Sequence, residues 1–254
     1  MCWMKEAKRS GGVSLPRLRL ETCTLLSEKE WLVDSDQQHH LTRVLRCKEG
    51  DRVEGLLLGE KIVLALCFHP DGLAVRECYR LPLRRDHLEI HLLLGLLKAD
   101  QFDIALRASA ELGVAVIHLL ACARSVPQLG EDKIRGKMQR WSKILHEATR
   151  QCGSVTPPMI SPPVPLRDFD FASLPGARFA ALLAERSIPI GNICFENKLA
   201  FAVGPEGDWD LEEEALLIGN QFKPVGLGDH VLRSSTAVVA GCSWFRLKDQ
   251  AERI

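Results

Sequence analysis

The sequence has no surplus of charge of either sign. Its 254 residues include 33 Lys and Arg and 33 Asp and Glu, so the formal net charge is zero. This balance excludes a histone-like polycation, and any binding of nucleic acid must come from a local patch. The apolar fraction of 46% excludes a disordered chain and is sufficient for a sizeable core.

Long apolar runs are missing as well. The strongest stretch, Ile90 to Leu97, is far shorter than a membrane span. The N-terminus, Met1 to Lys5, has neither an apolar segment nor a small-residue cleavage site. We therefore expect a cytoplasmic protein that does not associate with a membrane.

The cysteines are not paired in the sequence. All nine are scattered along the chain, and no C-x-x-C pair occurs among them. A zinc site needs ligands at short spacing, so the sequence predicts no metal site. The adjacent His39 and His40 point to different sides of a helix and do not change this expectation. Reduced, mostly buried thiols are the simpler interpretation.

The pattern changes near residue 85, and the part before it is typical of a small β-rich barrel. Short apolar segments bounded by turn residues predict its strands. A short helix is predicted over 39–47, because its spacing places Leu41, Val44 and Leu45 on one face. The predicted strands span 53–58, 61–68 and 73–78.

After residue 86 strands and helices alternate, which predicts an α/β domain with a mostly parallel sheet. Gly113 is placed to end one helix, and Asp210 with Glu213 three residues later predicts a capping box at the start of another. The proline-rich segment 157–165 is predicted to be a loop. The predicted strands are 88–97, 114–120, 179–184, 199–203 and 224–227, and the predicted helices are 101–112, 133–152, one from 210, and 231–247.

Two of these strands run into glycine-bearing loops. The segment Gly204-Pro205-Glu206-Gly207 follows one strand, and Gly226-Leu227-Gly228 follows another. Ligands bind beyond the carboxyl ends of strands in such sheets, and glycine allows close approach to the backbone. A single G-x-x-G is a weak signal, so for the first segment alone a tight turn is the favoured interpretation. Neither a dinucleotide fingerprint nor a P-loop is present. Arg233 lies at the start of a helix, where the helix dipole does not favour a positive charge. Its position is therefore better explained by a functional role.

A local basic patch lies within residues 121–150, which hold seven basic and three acidic residues. A solvated helix face is the simpler interpretation. Beside a cleft, the patch would also be enough to hold phosphates. Lys98 follows a strand at the carboxyl edge of the sheet, so it is either an RNA-phosphate contact or an ordinary solvated lysine. His118 and Trp141 are interpreted as core residues.

Short motifs in a fixed order extend through almost the whole chain. They are His39 to Arg46, Gly50-Asp51, Leu97 to Asp103, Ala110 to Val114, Arg124 to Val126, Arg140 to Ile144, Glu147-Ala148, Gln151 to Gly153, Gly204 to Gly207, Leu227-Gly228, Val231 to Arg233 and Thr236-Ala237. In this order they resemble the SPOUT methyltransferases, specifically the bacterial enzymes that methylate N3 of a uridine in small-subunit (16S) ribosomal RNA.

The resemblance implies two domains: an RNA-binding PUA-like β-barrel over 1–85 and a SPOUT methyltransferase domain with a C-terminal trefoil knot over 86–254. It also implies a homodimer that acts on ribosomal RNA or the small ribosomal subunit, with S-adenosylmethionine as cofactor. Arg124 and Arg233 are the implied catalytic residues, and Arg43, Arg46 and Lys98 are the candidate RNA contacts. The implied cofactor-binding residues are Leu183, Gly204, Pro205, Glu206, Gly207, Leu227, Gly228, Val231, Leu232 and Thr236.

The chain departs from the family pattern at several positions. Ser154 replaces the usual Arg, Ser235 the usual Glu, Ala99 a Gly and Asp208 a second Gly. These departures leave two alternatives open: a related enzyme with another target, such as a ribose 2′-hydroxyl or a transfer RNA base, and an RNA-binding protein without turnover.

Overall fold

The computed structural model describes residues 15–57, 60–81, 88–125, 131–154, 156–182 and 187–252. The chain forms two compact units, residues 1–84 and 85–254. Each unit has a sheet and a hydrophobic core of its own, and each is described separately.

The first unit is built on a six-stranded sheet with strand order β1-β4-β5-β6-β3-β2. All of its pairs are antiparallel except β1 with β4, which is parallel. The three strands predicted from the sequence are present, and three further short strands complete the sheet. The strands are β1 (Arg17–Arg19), β2 (Thr24–Ser27), β3 (Glu30–Leu32), β4 (Arg52–Leu57), β5 (Glu60–His69) and β6 (Gly72–Leu81).

The predicted barrel is a curled, open sheet. Its end strands, β1 and β2, do not pair with each other within the described residues. Apolar residues that alternate along the strands, such as Val53, Ile62 and Leu64, are buried on its inner face. The sequence missed β1 to β3 because three or four residues carry little alternation, and β1 is held by a strand far along the chain.

The predicted short helix is present in a different form. A helix, α1 (Ser35–His39), continues into a π-helical turn over His40–Val44. Leu41 is buried, but Val44 is 59% and Leu45 43% exposed, so the prediction of one shared apolar face was wrong. The wider π turn changes the angle between successive side chains and breaks the 3.6-residue period.

The second unit is an α/β domain with an eight-stranded sheet in which every pair is parallel, as predicted. The strand order is β10-β8-β7-β13-β11-β14-β12, with β9 also paired to β8. The elements are β7 (Glu89–Gly95), α2 (Ala99–Glu111), β8 (Val116–Ala121), α3 (Glu131–Cys152), β9 (Met159–Ile160), β10 (Val164–Pro165), β11 (Ala177–Ala181), β12 (Ile188–Pro189), β13 (Lys198–Val203), α4 (Leu211–Gly219), β14 (Lys223–Gly226) and α5 (Ser234–Ala251).

Two details differ from the sequence prediction. The proline-rich segment 157–165 contains the two short strands β9 and β10, which pair with β8. The last helix begins at Ser234 and not at Val231. The last strand, β14, lies between the earlier strands β11 and β12. It is therefore inserted between two strands that precede it in the sequence and is not added at an edge of the sheet. This order is in keeping with the expected knotted C-terminal region.

Both faces of the parallel sheet are covered, which explains its near-continuous apolar strands. On one face α2, α3 and α5 pack against residues such as Ile90, Leu92 and Phe201. On the other face Leu93 and Ala202 pack against α4 and the 3-10 turns around Leu166. The predicted helix ends are also present, with Gly113 at a φ of 68° after α2 and a capping box between Asp210 and Glu213.

A polar chain runs across the start of the sheet. Lys198 Nζ lies 2.8 Å from Glu89 Oε2, Glu89 Oε1 lies 3.0 Å from His91 Nε2, and His91 Nδ1 lies 3.2 Å from His118 Nε2. Phe169 packs edge-on against the His118 ring. His118 therefore has partners, as predicted, but it is half-buried and does not belong to the buried core, so the prediction of a core position was wrong.

Replacing Gly241 of α5 by Ala should destabilise the second unit, because the added Cβ would lie 2.4 Å from Phe201 Cε1. We expect a loss of about 1–3 kcal/mol in the free energy of unfolding, the usual range for an overpacked core. Gly136 of α3 is the matched control, since nothing lies within 4 Å of its added Cβ. Gly136→Ala should stabilise by about 0.5–1 kcal/mol. Equal urea midpoints for both variants would contradict the close packing of Gly241 on Phe201.

Acid should weaken the second unit through His118. Burial, and then the charge of His91, lower the pKa of His118 from 6.5 to about 4. The unfolded chain keeps the ordinary value and so binds more protons between pH 4 and 6.5. The free energy of unfolding should therefore fall as the pH drops from 6.5 towards 4. Urea titrations at several pH values should show a smaller fall in His118→Gln than in the wild type, and an equal fall in both would contradict the role of His118.

Candidate active site

The candidate site begins where neighbouring parallel strands end in register. Val203 of β13 pairs with Leu94 of β7 on one side and with Ala181 of β11 on the other. Ala181 also pairs with Val225 of β14. Because adjacent strands are about 4.8 Å apart, the loops that leave these four strands lie side by side.

The first loop, Gly204 to Gly207, packs so closely on its neighbours that its glycines are structural. A Cβ on Gly204 would lie 3.0 Å from Trp209 Nε1, and one on Gly207 would lie 2.8 Å from Arg124 Cβ. Gly95, at the end of β7, faces the same loop, since its Cβ would be 2.7 Å from the Pro205 nitrogen. The tight-turn interpretation therefore explains part of this glycine pattern.

Glu206 joins this loop to the start of α2. Its Oε1 accepts a hydrogen bond of 2.8 Å from the backbone N–H of Lys98, the residue at the N-cap of α2. A carboxylate is favoured at this end of a helix by the helix dipole. The side chain of Lys98 is exposed. Glu206 is thus placed to fix the loop in position.

Arg124 holds the same loop from the exit of β8. Its Nη1 donates to the backbone carbonyls of Gly207 and Trp209, both at 3.1 Å. The guanidinium is therefore engaged by the protein's own backbone. This arrangement suits a positioning role better than direct contact with a reacting base.

Carboxylates near the site are also engaged by backbone groups. Glu213 accepts from the backbone N–H of Ala123 at 2.8 Å and from that of Asp210 at 3.1 Å. Burial raises the pKa of the Cys122 thiol, so this residue stays neutral and is not a nucleophile. Neither group is available as a general base in this arrangement.

The second loop, from Leu227 to Arg233, offers open space beside apolar side chains. Gly228 has a φ of 120°, and nothing lies within 4 Å of a Cβ placed on it. Leu227 and Leu232 are half-buried and pack against the main core, while Val231 is 75% exposed. A flat apolar ring with a polar edge would fit this combination of open backbone and leucines. Leu183, the remaining candidate, lies outside the described residues.

The start of α5 holds two further candidates, Arg233 and Thr236. Arg233 is the N-cap residue, with an extended backbone and no side-chain cap hydrogen bond, and its side chain is exposed. It makes no ion pair with any residue that the structure describes. Thr236 is exposed on the first turn of the helix.

Sequence reasoning missed one contact at this helix start. Ser235 Oγ donates to Gln101 Oε1 at 2.6 Å and so joins α5 to α2. Ser235 was noted only as a replacement for the family's Glu. No local pattern could have paired it with a residue more than 130 positions away.

The RNA-contact candidates of the first unit, Arg43 and Arg46, are both exposed. Arg46 has a φ of 55°, which is unusual for a residue other than glycine. Among the described residues, no group of His, Cys, Asp and Glu could hold a metal ion, and no helix is long and apolar enough to cross a membrane.

Sequence comparison identifies relatives along most of the chain. The profile of the RNA methyltransferase domain family matches residues 84–246, and that of the RNA methyltransferase PUA domain matches residues 33–54. The ribosomal RNA small subunit methyltransferase E 2 of Borreliella burgdorferi is 26% identical over 84% of this chain and 89% of its own length. The ribosomal RNA small subunit methyltransferase E of Synechocystis is 30% identical over 79% of this chain and 67% of its own length.

Solved structures agree with the sequence relatives. A methyltransferase of Legionella pneumophila, solved with bound S-adenosylmethionine, has a TM-score of 0.78 and 25% identity, over 93% of this chain and 98% of that one. The methyltransferase E of Neisseria gonorrhoeae, at 23% identity, shows the same fold with a TM-score of 0.78.

The sheet and its in-register exits define an α/β domain, and in domains of this kind ligands bind beyond the carboxyl ends of the parallel strands. The chain belongs to the RNA methyltransferase domain family. The resemblance to SPOUT enzymes stated from the sequence motifs is thereby confirmed, and so is the expectation of a PUA-type region in the N-terminal part.

Replacing Arg124 by Ala should loosen the Gly204–Gly207 loop, because two hydrogen bonds from a charged donor are lost. We expect faster amide hydrogen exchange in peptides covering 204–209, by about tenfold or more, given typical energies for such bonds. Lys143→Ala, on the exposed face of α3, should leave this exchange unchanged. Wild-type exchange rates in the Arg124 variant would refute the positioning role.

Proposed function

We propose that this protein transfers the methyl group of S-adenosylmethionine to N3 of a uridine in small-subunit ribosomal RNA, in the cytoplasm. The observation that carries the proposal is the row of in-register strand ends, which places two glycine-bearing loops at the same edge of the sheet, on either side of the end of β11, in a chain of the RNA methyltransferase family. The small-subunit target follows the names of the Borreliella and Synechocystis relatives. In this division of work residues 1–85 bind RNA and 86–254 carry out methyl transfer.

The second loop fits the adenosine part of the cofactor. Leu227, Val231 and Leu232 supply apolar surface, and the open space at Gly228 leaves backbone groups free to approach the edge of the ring. The first loop, with Pro205 and Glu206, borders the same edge of the sheet. The bound cofactor of the Legionella structure, at 25% identity, supports this choice of ligand. When bound, S-adenosylmethionine supplies an activated methyl group.

The chain's own residues must hold the base and stabilise its charge. Uridine N3 is a weak nucleophile until its proton leaves to water, and negative charge develops on the base as it does. Transfer of the methyl group to N3 removes this charge and leaves S-adenosylhomocysteine. We assign the stabilisation of that charge to Arg233, because its guanidinium is exposed beside the second loop, whereas that of Arg124 is bound to loop carbonyls. Arg124, Glu206 and the Ser235–Gln101 pair keep the loops in position.

A homodimer is part of the proposal, and the outer face of α5 supports it. This face carries no charge over a helix of 18 residues, about 27 Å in length. Val239 and Leu247 are its exposed apolar residues. The residues that share the face at helical spacing are Thr236, Val239, Ala240, Ser243, Leu247 and Gln250.

The decisive experiment is methyl transfer from labelled S-adenosylmethionine to purified small ribosomal subunits and to their naked RNA, followed by mass spectrometry of the modified nucleotide. N3-methyluridine in the small-subunit RNA is the expected product. A 2′-O-methylated nucleotide, or modification of transfer RNA only, would replace the proposed target by another one. Binding without any transfer would remove the enzyme assignment.

Replacing Arg233 by Ala should lower kcat by about 10²–10³-fold, the usual effect of losing a donor to developing charge. The Kd for S-adenosylmethionine, measured by calorimetry, should change little. Arg233→Lys keeps the charge without the planar donors and should retain part of the rate. An Ala variant with wild-type kcat would exclude Arg233 from the chemistry.

A further inference from the structure

Four consecutive exposed residues in the first unit form an unusual surface. They are Arg43 and Val44, at the end of the π-helical turn, and Leu45 and Arg46, which follow it. This segment, here called the Arg43–Arg46 turn, has two apolar residues between two cations. Val44 is 59% and Leu45 43% exposed. Two adjacent aliphatic side chains in water contribute nothing to the core, so their exposure calls for another explanation.

The backbone that presents this turn is held firmly. Leu41 is buried directly before it, and Asp34 caps α1 by accepting from the backbone N–H of Gln37 at 3.0 Å. The Gln37 side chain bridges to β1: its Oε1 accepts from Arg19 N at 2.6 Å and its Nε2 donates to Arg19 O at 3.0 Å. The turn is therefore fixed to the sheet and is not a loose loop.

The turn closes on a left-handed residue with a long side chain. Arg46 has a φ of 55°, and the backbone N–H groups on either side of it donate across the turn, from Leu45 to His40 O at 3.0 Å and from Cys47 to Leu41 O at 2.9 Å. Glycine usually occupies such a position, because side chains disfavour it. A strained arginine at a surface position indicates that the side chain itself is used.

The electrostatic setting favours an anionic partner. Residues 37–48 contain no acidic residue, and Arg43 and Arg46 contribute positive charge, whereas Lys48 is next to Glu49 and close to Asp51. Neither Arg43 nor Arg46 forms an ion pair with a residue that the structure describes. Two arginines of the basic helix α3 differ in this respect, since Arg140 pairs with Asp103 and Arg150 with Glu147. The turn thus offers cations that are not already neutralised.

We propose that the Arg43–Arg46 turn is a two-part RNA contact. The guanidinium groups of Arg43 and Arg46 bind backbone phosphates, and Val44 and Leu45 between them pack on the face of an unstacked base or its ribose. Single-stranded RNA offers this combination, because splayed bases expose flat apolar faces beside the phosphates. The proposal rests on the proposed function, in that the RNA is that of the small ribosomal subunit.

The first test separates the two parts of the contact by their salt dependence. Binding of the full chain to small-subunit RNA is measured over a range of salt concentrations. The double variant Val44→Ser/Leu45→Ser should bind about tenfold more weakly with an unchanged salt slope, because losing an apolar contact to a base typically has this effect. The double variant Arg43→Gln/Arg46→Asn should reduce the slope of log K against log salt by roughly 1 to 2, as two phosphate contacts are lost. Asn is used at 46 because it tolerates the left-handed backbone.

Matched controls come from exposed apolar residues elsewhere in the same sheet. Leu25 on β2 is 61% and Phe68 on β5 70% exposed. Leu25→Ser and Phe68→Ser should bind RNA as the wild type does. Circular dichroism and S-adenosylmethionine binding should be unchanged in every variant, because the turn lies outside both loops of the candidate active site.

The outcomes distinguish this inference from the proposed function. Wild-type protein that methylates the RNA, with a Val44→Ser/Leu45→Ser variant of equal affinity, overturns only the role of the apolar pair. A variant whose weaker binding follows a change in oligomeric state in size-exclusion chromatography shows that the pair serves a protein contact and overturns the proposal. Wild-type protein that binds no small-subunit RNA overturns both.

Discussion

The alignment of strand ends in the parallel sheet is the constraint on which the rest of the candidate site depends. Leu94, Val203, Ala181 and Val225 lie in one row across four adjacent strands. Every loop that matters here leaves the sheet directly beyond that row, so its start is fixed by backbone hydrogen bonds to its neighbours. The apolar cores on both faces keep the sheet rigid. Because the row is set by the backbone ladder, the starting points of these loops are fixed by the sheet itself.

A second layer of interactions turns these loops into a defined surface. Arg124, Glu206 and Glu213 each direct a charged side chain at backbone groups of a neighbouring loop or helix start. Charged groups used in this way fix the geometry of the loops. Arg233 is left exposed beside the second loop. For this reason we assign loop positioning to Arg124 and stabilisation of the charge on the base to Arg233.

The charged residues of this protein form local patches, while the chain as a whole has no net charge. A chain with no net charge has no long-range attraction for RNA, so recognition must rest on short-range surfaces. The Arg43–Arg46 turn is such a surface, and its left-handed residue, Arg46, lies between two backbone hydrogen bonds that close the turn. The uncharged face of α5 is of a different type, and its exposed apolar residues are those that the proposed homodimer would cover. Different surfaces of one neutral protein can therefore meet very different partners.

The sequence by itself determined the elements whose signals are local. The buried strands of the parallel sheet, the Gly113 helix end, the Asp210–Glu213 capping box and the two glycine-bearing exits were all predicted from neighbouring residues. The tertiary structure alone decided which residues meet across long separations. It paired Ser235 with Gln101, bound Arg124 to the loop carbonyls, opened the predicted barrel into a curled sheet and exposed Val44 and Leu45 through a π turn. Hydrogen bonds between distant segments and changes of helix period leave no pattern in the neighbouring residues, because they depend on how the whole chain packs.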